Sequence, residues 1–225
     1  MNQKEPTHHH SLSVTGIADA LRQRQPGIMG ENSLGRFSVL VPLVEREDGT
    51  LAVLFEKRAR TMRRQAGEIC FPGGRAEEGD ASPWETARRE TSEELGLSAE
   101  RIRQVGTLDT MVTPFACIYP FVGQIDSLAG MSPNPAEVEE VFCVPLQTLA
   151  ATRPEAYPVK MKVEPGADYP YHLIPGGKRY PWRTGTVHHL FYRVEGRVIW
   201  GLTARILEHF LELLGPDGEG RSGKR

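Results

Sequence analysis

The chain has 225 residues, 39% of them hydrophobic and 25% charged, with a formal net charge of −2. That length fits one domain with extensions, and the composition is that of a soluble globular chain rather than a disordered one. No stretch approaches the roughly eighteen unbroken apolar residues of a membrane span, residues 1–10 lack the apolar core of a signal peptide, and the near-neutral charge argues against broad nucleic-acid binding.

The expectation is therefore a cytoplasmic protein, monomer or homodimer, with no membrane or nucleic-acid partner and any anion site confined to a local patch. The three cysteines, Cys70, Cys117 and Cys143, are odd in number and far apart. They fit neither a disulfide framework nor a zinc spacing and read as buried, inert thiols.

Residues 1–33 read as an N-terminal extension. His8, His9 and His10 form a solvated run, and Ile17, Ala20, Leu21 and Arg24 follow at helical spacing until Pro26-Gly27. The main domain is expected over 34–214. Its first strand is Phe37 to Val44, and Asp48-Gly49 marks a turn into a second strand, Leu51 to Phe55, so the pair reads as a hairpin. Further strands are expected at Arg101 to Leu108, Phe115 to Val122 and Val141 to Val144. His188 to Val194 and Arg197 to Trp200 flank the turn Glu195-Gly196. Thr203 to Leu214 carries Ile206, Leu207, Phe210 and Leu214 on one helical stripe, and residues 215–225 read as a flexible tail. Strands outnumber helices without strict alternation, which implies an α/β domain with a mixed sheet.

The segment Ser82 to Gly96 is the most informative. Ser82 is an N-cap, Pro83 suits the first helical position, Glu85 completes a capping box, and Gly96 stands at the C-terminal stop. On a helical wheel Trp84, Ala87, Thr91 and Leu95 fall within an arc of about 80° and form the buried stripe. Glu90, Glu93 and Glu94 occupy the neighbouring arc, with Glu94 nearest the apolar edge. Like charges at this spacing repel, and acids near a helix C-terminus oppose the macrodipole. Local stability does not select that arrangement, whereas a hard divalent cation such as Mg²⁺ or Mn²⁺ would reverse its sign.

Upstream, Glu68-Ile69-Cys70-Phe71-Pro72-Gly73-Gly74 reads as a strand ending in a tight turn, where the Gly74 carbonyl could add an oxygen ligand. Before it, residues 57–64 carry five basic side chains in eight, among them Arg58 and Arg63. Acidic metal ligands beside a basic loop suit a substrate with several phosphates, because arginine forks bind phosphate oxygens.

Gly74, Arg89-Glu90-Thr91-Ser92-Glu93-Glu94-Leu95-Gly96-Leu97 and their spacing resemble the Nudix hydrolase signature. Asp80 stands where the family usually has Glu, with one extra residue before Arg89, and Thr91 fills an apolar slot. Leu54-Phe55-Glu56-Lys57-Arg58-Ala59, Arg63, Gly67 and Phe71-Pro72-Gly73-Gly74 are similar to a second signature, that of the coenzyme A pyrophosphatase branch, with Phe55 and Glu56 replacing a Leu and a Thr. The resemblance covers Arg36 to Leu214, including Trp200 to Ala204.

It implies a Nudix-type α/β/α sandwich that hydrolyses the diphosphate of a small-molecule substrate, coenzyme A or a derivative, to 3′,5′-ADP and 4′-phosphopantetheine or its derivative. It implies Glu90 and Glu94 as metal ligands, assisted by Glu93 and the Gly74 carbonyl, with Arg89 orienting the carboxylates. One of the glutamates, or a metal-bound hydroxide, would deprotonate the attacking water. Arg58 and Arg63 would contact substrate phosphate. The alternatives are ADP-ribose, NADH or another nucleoside diphosphate derivative as substrate, or a nucleotide sensor without turnover. Glu137, Glu139 and Glu140, read as a loop before a strand, are a secondary source of a general base. His188 and His189 read as strand packing with one of them buried, and Tyr171, Tyr180 and Trp182 as aromatic packing under a long loop.

Overall fold

Alternation of side chains along two neighbouring strands builds both halves of the core. In the computed structural model, which describes residues 13–22 and 24–215, Leu40 and Val44 of the first strand face one way with Leu54 of the second. Val41, Leu43, Val53 and Phe55 face the other way. The His8–His10 run, residue 216 and the tail beyond it lie outside the described residues.

In chain order the elements are α1 (Val14–Arg22), β1 (Gly35–Glu45), β2 (Leu51–Arg58), β3 (Ile69–Cys70), β4 (Gly73–Arg75), α2 (Pro83–Leu95), β5 (Ile102–Thr107), β6 (Met111–Val112), β7 (Ala116–Ile125), β8 (Val138–Pro145), α3 (Leu146–Ala151), β9 (Glu155–Met161), β10 (Gly185–Val194), β11 (Arg197–Trp200) and α4 (Gly201–Leu214). Eight strands form the main sheet, with the path β3-β2-β1-β7-β5; β4 pairs with β1, β6 with β7 and β8 with β2. The β1–β7 pair is parallel and the others antiparallel, so the sheet is mixed. Helix α2 covers one face through Ala87 and Leu95. Helix α4 covers the other through Ala204, Ile206, Leu207 and Phe210. The result is the expected α/β/α sandwich.

A second sheet of three strands runs β11-β10-β9. Its β10–β11 hairpin turns at Glu195 and Gly196, both with positive φ, where the sequence placed the turn. The β1–β2 turn is likewise fixed where expected, with Thr50 N donating to Asp48 Oδ1 at 3.0 Å. Strand β9 was not anticipated. It carries Pro158 and two charged residues, and it survives because it lies at a sheet edge, where a missing N–H costs no ladder bond.

Helix α1 buries no residue, and among the described residues no helix is long and apolar enough to cross a membrane. Of the cysteines only Cys117 is fully buried; Cys70 and Cys143 are half-buried, and all three are free. Neither His188 nor His189 is buried, because both lie in the thin second sheet; His189 is half-covered beside Trp200. Tyr169, Tyr171, Tyr180 and Trp182 pack edge-on with ring centroids 4.9–5.7 Å apart, on the connection from β9 to β10.

Candidate active site

Helix α2 is held at both ends by its own sequence. Ser82 Oγ accepts from Glu85 N at 3.3 Å, Pro83 opens the helix, and Gly96 closes it at φ 60°. The capping box is only half made, because the Glu85 carboxylate turns to Arg88 at 2.5 Å instead of back to the cap. The buried residues are Thr86, Ala87, Thr91, Glu94 and Leu95, with Trp84 half-buried at the edge. Past the stop, Ser132 N and Asn134 N donate to the carbonyls of Leu95 and Glu94 at 3.1 and 2.9 Å. These bonds satisfy groups that a helix end leaves open, and they fasten the loop over residues 126–137 against the acidic turn.

The glycine turn is pinned between β1 and this helix. Val39 pairs with Gly73 and Ser38 with Gly74. Gly73 adopts φ 147°, and a Cβ there would lie 2.3 Å from the Ser38 carbonyl oxygen. A Cβ on Gly74 would fall 2.3 Å from Cδ of Glu90, so the carboxylate rests directly on the glycine backbone. Gly73 N donates to Glu94 Oε2 at 2.8 Å. Two of the α2 carboxylates thus meet the turn because it has no side chains.

Arg89 organises the row. Its guanidinium contacts Glu90 at 2.9 Å and Glu93 at 3.1 Å. It also grips Asp80 with two parallel bonds, Nε to Oδ1 at 3.0 Å and Nη2 to Oδ2 at 3.1 Å. Asp80 in turn accepts from Thr86 Oγ1 and Glu77 N, each at 2.9 Å. The Arg89 fork, with these donors, holds the Asp80 carboxyl well below the usual carboxylate range. Asp80 was noted in the sequence only as a departure from the family pattern, and here it is the anchor of the arginine.

Two carboxylates are buried. Glu94 is 5% exposed and Glu56 of β2 only 1%. Burial raises the Glu94 carboxyl, the charge of Glu56 raises it further, and Gly73 N–H and Arg58 offset part of this. Burial raises Glu56 too, opposed by the Cys70 thiol, which donates to Oε1 at 3.3 Å, and by Arg58. Glu90 is raised by burial against the pull of Arg89. Sequence reasoning missed Glu56 as a site residue. The available signal was an acid in an otherwise apolar strand, at a position where the second signature has Thr.

The other candidates separate. Arg58 lines a cleft of about 310 Å³ with Gln65, Cys70, Gly73, Gly74 and the first turn of α4. Arg63 is exposed on the loop after β2 and does not line that cleft. Glu139 and Glu140 are not on a loop: β8 begins at Val138, since its pairing with β2 extends beyond the apolar run. They are taken by Lys57 at 2.6 Å and Arg197 at 2.5 Å. Glu137, just before β8, is the one of the three whose charge acts on both Glu56 and Glu90.

Among the described residues no three His, Cys, Asp or Glu side chains are already gathered as ligands around one point. The donor chemistry nevertheless fits a hard divalent cation. Ser38 Oγ, Glu56 Oε2 and Arg58 Nε are buried side-chain atoms with no hydrogen-bond partner. All three border the glycine turn: Ser38 opposite Gly74, Arg58 in the cleft with Gly73 and Gly74, and Glu56 opposite Cys70. Buried polar groups are seldom left unpaired; the two free oxygens, beside three carboxylates, suit a hard cation, whereas the free Arg58 N–H suits an anionic group such as phosphate.

Residues 35–163 match the NUDIX domain family. The chain belongs to that family. Curated relatives named coenzyme A diphosphatases support the branch that the paired motifs implied. The mouse peroxisomal coenzyme A diphosphatase NUDT7 is 38% identical over 143 residues, covering 63% of this chain and 59% of that protein. The human mitochondrial coenzyme A diphosphatase NUDT8 is 34% identical over 183 residues, 80% of this chain and 69% of that one. An uncharacterized Nudix hydrolase NudL of Yersinia enterocolitica is 31% identical over 198 residues, 85% of this chain and 87% of that one. The chain thus spans between half and three quarters of the length of several curated relatives that it matches. The Nudix helix of this family is α2, and the fold around it is the mixed-sheet sandwich that the resemblance implied.

Proposed function

We propose that this Nudix chain hydrolyses the diphosphate bond of coenzyme A or a derivative, giving 3′,5′-ADP and 4′-phosphopantetheine or its derivative. The observation that carries this reading is one juxtaposition. Glu90 and Glu94 meet the Gly73-Gly74 turn from the α2 side, and the cleft holding Arg58 borders the same turn. A divalent cation, Mg²⁺ or Mn²⁺, would be held by Glu90 and Glu94 with Glu93 and the Gly74 carbonyl assisting. When bound it supplies a Lewis acid for the phosphoryl oxygens.

The chain's own groups do the rest. Arg89 keeps Glu90 against the turn and pairs with Glu93, and Arg58 contributes positive charge beside the turn, with Arg63 as a second, solvent-side contact for phosphate. One of the glutamates takes a proton from the attacking water; Glu137 is the candidate outside the helix. Water adds to one phosphorus, the bridging P–O bond breaks, and the leaving phosphate departs. The walls of the cleft at Phe37, Val39, Ala116, Ile118 and Ile206 are apolar. They suit an uncharged arm such as that of pantetheine better than a second sugar. The names of the mouse and human relatives support the same substrate class.

The test is mass-spectrometric identification of products after incubation with coenzyme A, ADP-ribose and NADH in turn, with Mn²⁺. Preferential cleavage of coenzyme A to 3′,5′-ADP is expected; a preference for ADP-ribose or NADH overturns the substrate assignment. Glu94→Gln is expected to lower kcat by at least about 10²-fold with an unchanged circular dichroism spectrum. Near-wild-type turnover would remove Glu94 from its assigned role.

A further inference from the structure

Strand β2 carries an acid that nothing in the hydrolytic scheme yet uses. Glu56 has the parity of Leu54, so it points to the sheet face that α2 covers. It pairs across the sheet with Cys70 on one side and Val141 on the other, and Val141 packs in the same α2-side cluster. Its side chain is 1% exposed. One carboxylate oxygen receives the Cys70 thiol at 3.3 Å, a weak donor, and the other has no partner.

Either protonation state leaves this arrangement unsatisfied. Ionised, Glu56 is a buried anion repelled by Glu94, offset by the weak Cys70 thiol donor and the charge of Arg58. Protonated, it carries a hydroxyl with nothing to accept its proton. A structural role in packing would be met by Leu at lower cost, since an unpaired buried polar atom is destabilising. An oxygen donor without a partner, aimed at the face where Glu94 and Glu90 converge, is what a hard cation lacks on its sheet side.

We infer that Glu56 is a further carboxylate ligand of the divalent-cation site, contributed by the sheet and opposed to Glu94 of the helix. The inference rests on the reading of Glu94 and Glu90 as ligands. It adds a donor from β2 to a set otherwise drawn from α2 and the glycine turn, so the cation would join helix to sheet.

The test uses the full chain freed of metal and titrated with Mn²⁺, following the free ion by electron paramagnetic resonance. Glu56→Gln keeps the shape and removes the charge. Its Mn²⁺ dissociation constant is expected to rise by about tenfold or more. The metal-induced increase in melting temperature is expected to shrink, and the metal-free variant is expected to melt higher than the wild type. Glu56→Thr, smaller and also uncharged, repeats the measurement, so a folding defect in one variant leaves the other to decide. If either folded variant binds Mn²⁺ within about twofold of wild type while Glu94→Gln weakens it about tenfold or more, Glu56 is not a ligand and the helix site stands. If Glu94→Gln also leaves the affinity unchanged, the helix site itself is wrong and the inference falls with it.

Discussion

Asp80 and Arg89 show how the site is kept in shape by a residue that need not touch substrate. Arg89 faces three carboxylates, and a flexible guanidinium could satisfy any of them. The two parallel bonds to Asp80, itself fixed by Thr86 and Glu77, leave Arg89 one orientation, from which it pairs with Glu93 and with Glu90, the carboxylate that rests on Gly74. Asp80→Asn keeps the size but weakens the fork. It is expected to lower kcat by about 10- to 100-fold with little effect on melting temperature. Steady-state kinetics beside a thermal melt checks this, and an unchanged kcat would show that Arg89 is positioned by the glutamates alone. Residue identities at this scale were unevenly legible. The Glu90, Glu93, Glu94 row and Arg89 could be read from helical spacing and motif. Glu56 could not, because its significance depends on which helix lies over β2.

Helix α2 is an element whose ends are written in its own residues but whose strength depends on a neighbour. Its C-terminal stop, Gly96, lies in the left-handed region, and a Cβ there would fall 2.0 Å from the Ser132 carbonyl oxygen. Gly96→Ala therefore combines backbone strain with a steric clash against the loop that delivers Glu137. The expected loss is more than about 1 kcal/mol, together with weaker metal binding as the loop shifts. Ser82→Ala, at the other end, removes one cap bond and is expected to cost about 1 kcal/mol while leaving metal affinity alone. Chemical denaturation and Mn²⁺ titration of the two variants separate these effects; equal changes in metal affinity would contradict the assigned role of the C-terminal loop. Element boundaries follow the same rule of locality. The caps of α2 and both hairpin turns were legible because they depend on residues three or four apart. Strands β3, β4 and β6 have two or three residues each and are too short to show a period. Strand β8 begins among acids that are paired with Lys57, Arg60 and Arg197, partners distant in the chain.

For the whole molecule, the buried acids couple stability to pH in an unusual direction. Glu56, Glu90 and Glu94 are all raised from an ordinary value of 4.5, chiefly by burial. In the metal-free protein the folded state then holds protons that the unfolded chain has released, so stability is full below the ordinary carboxylate range and declines as pH rises above it. Asp80, which is lowered, acts only at more acidic pH. With a chelator present, the melting temperature is expected to fall as pH is raised from about 5 to about 8. Added Mn²⁺ is expected to reverse that fall, because a cation binds the deprotonated acids and does so more tightly as protons leave. Differential scanning fluorimetry across this range checks both; a metal-free melting temperature that rises instead would mean the three acids are compensated within the protein.

The sequence by itself determined the family, the capped acidic helix, the hairpin turns and the apolar faces of β1 and β2, because each is encoded by residues close in the chain or repeating with a fixed period. Only the tertiary structure decided which oxygens share one small volume. Glu56, Ser38 and the Gly73-Gly74 turn come from different strands, Glu137 from a loop tied to the end of α2, and Asp80 reaches the site through an arginine nine residues away. Electrostatic interaction and desolvation depend on separation and burial in space, and neither is a function of distance along the chain.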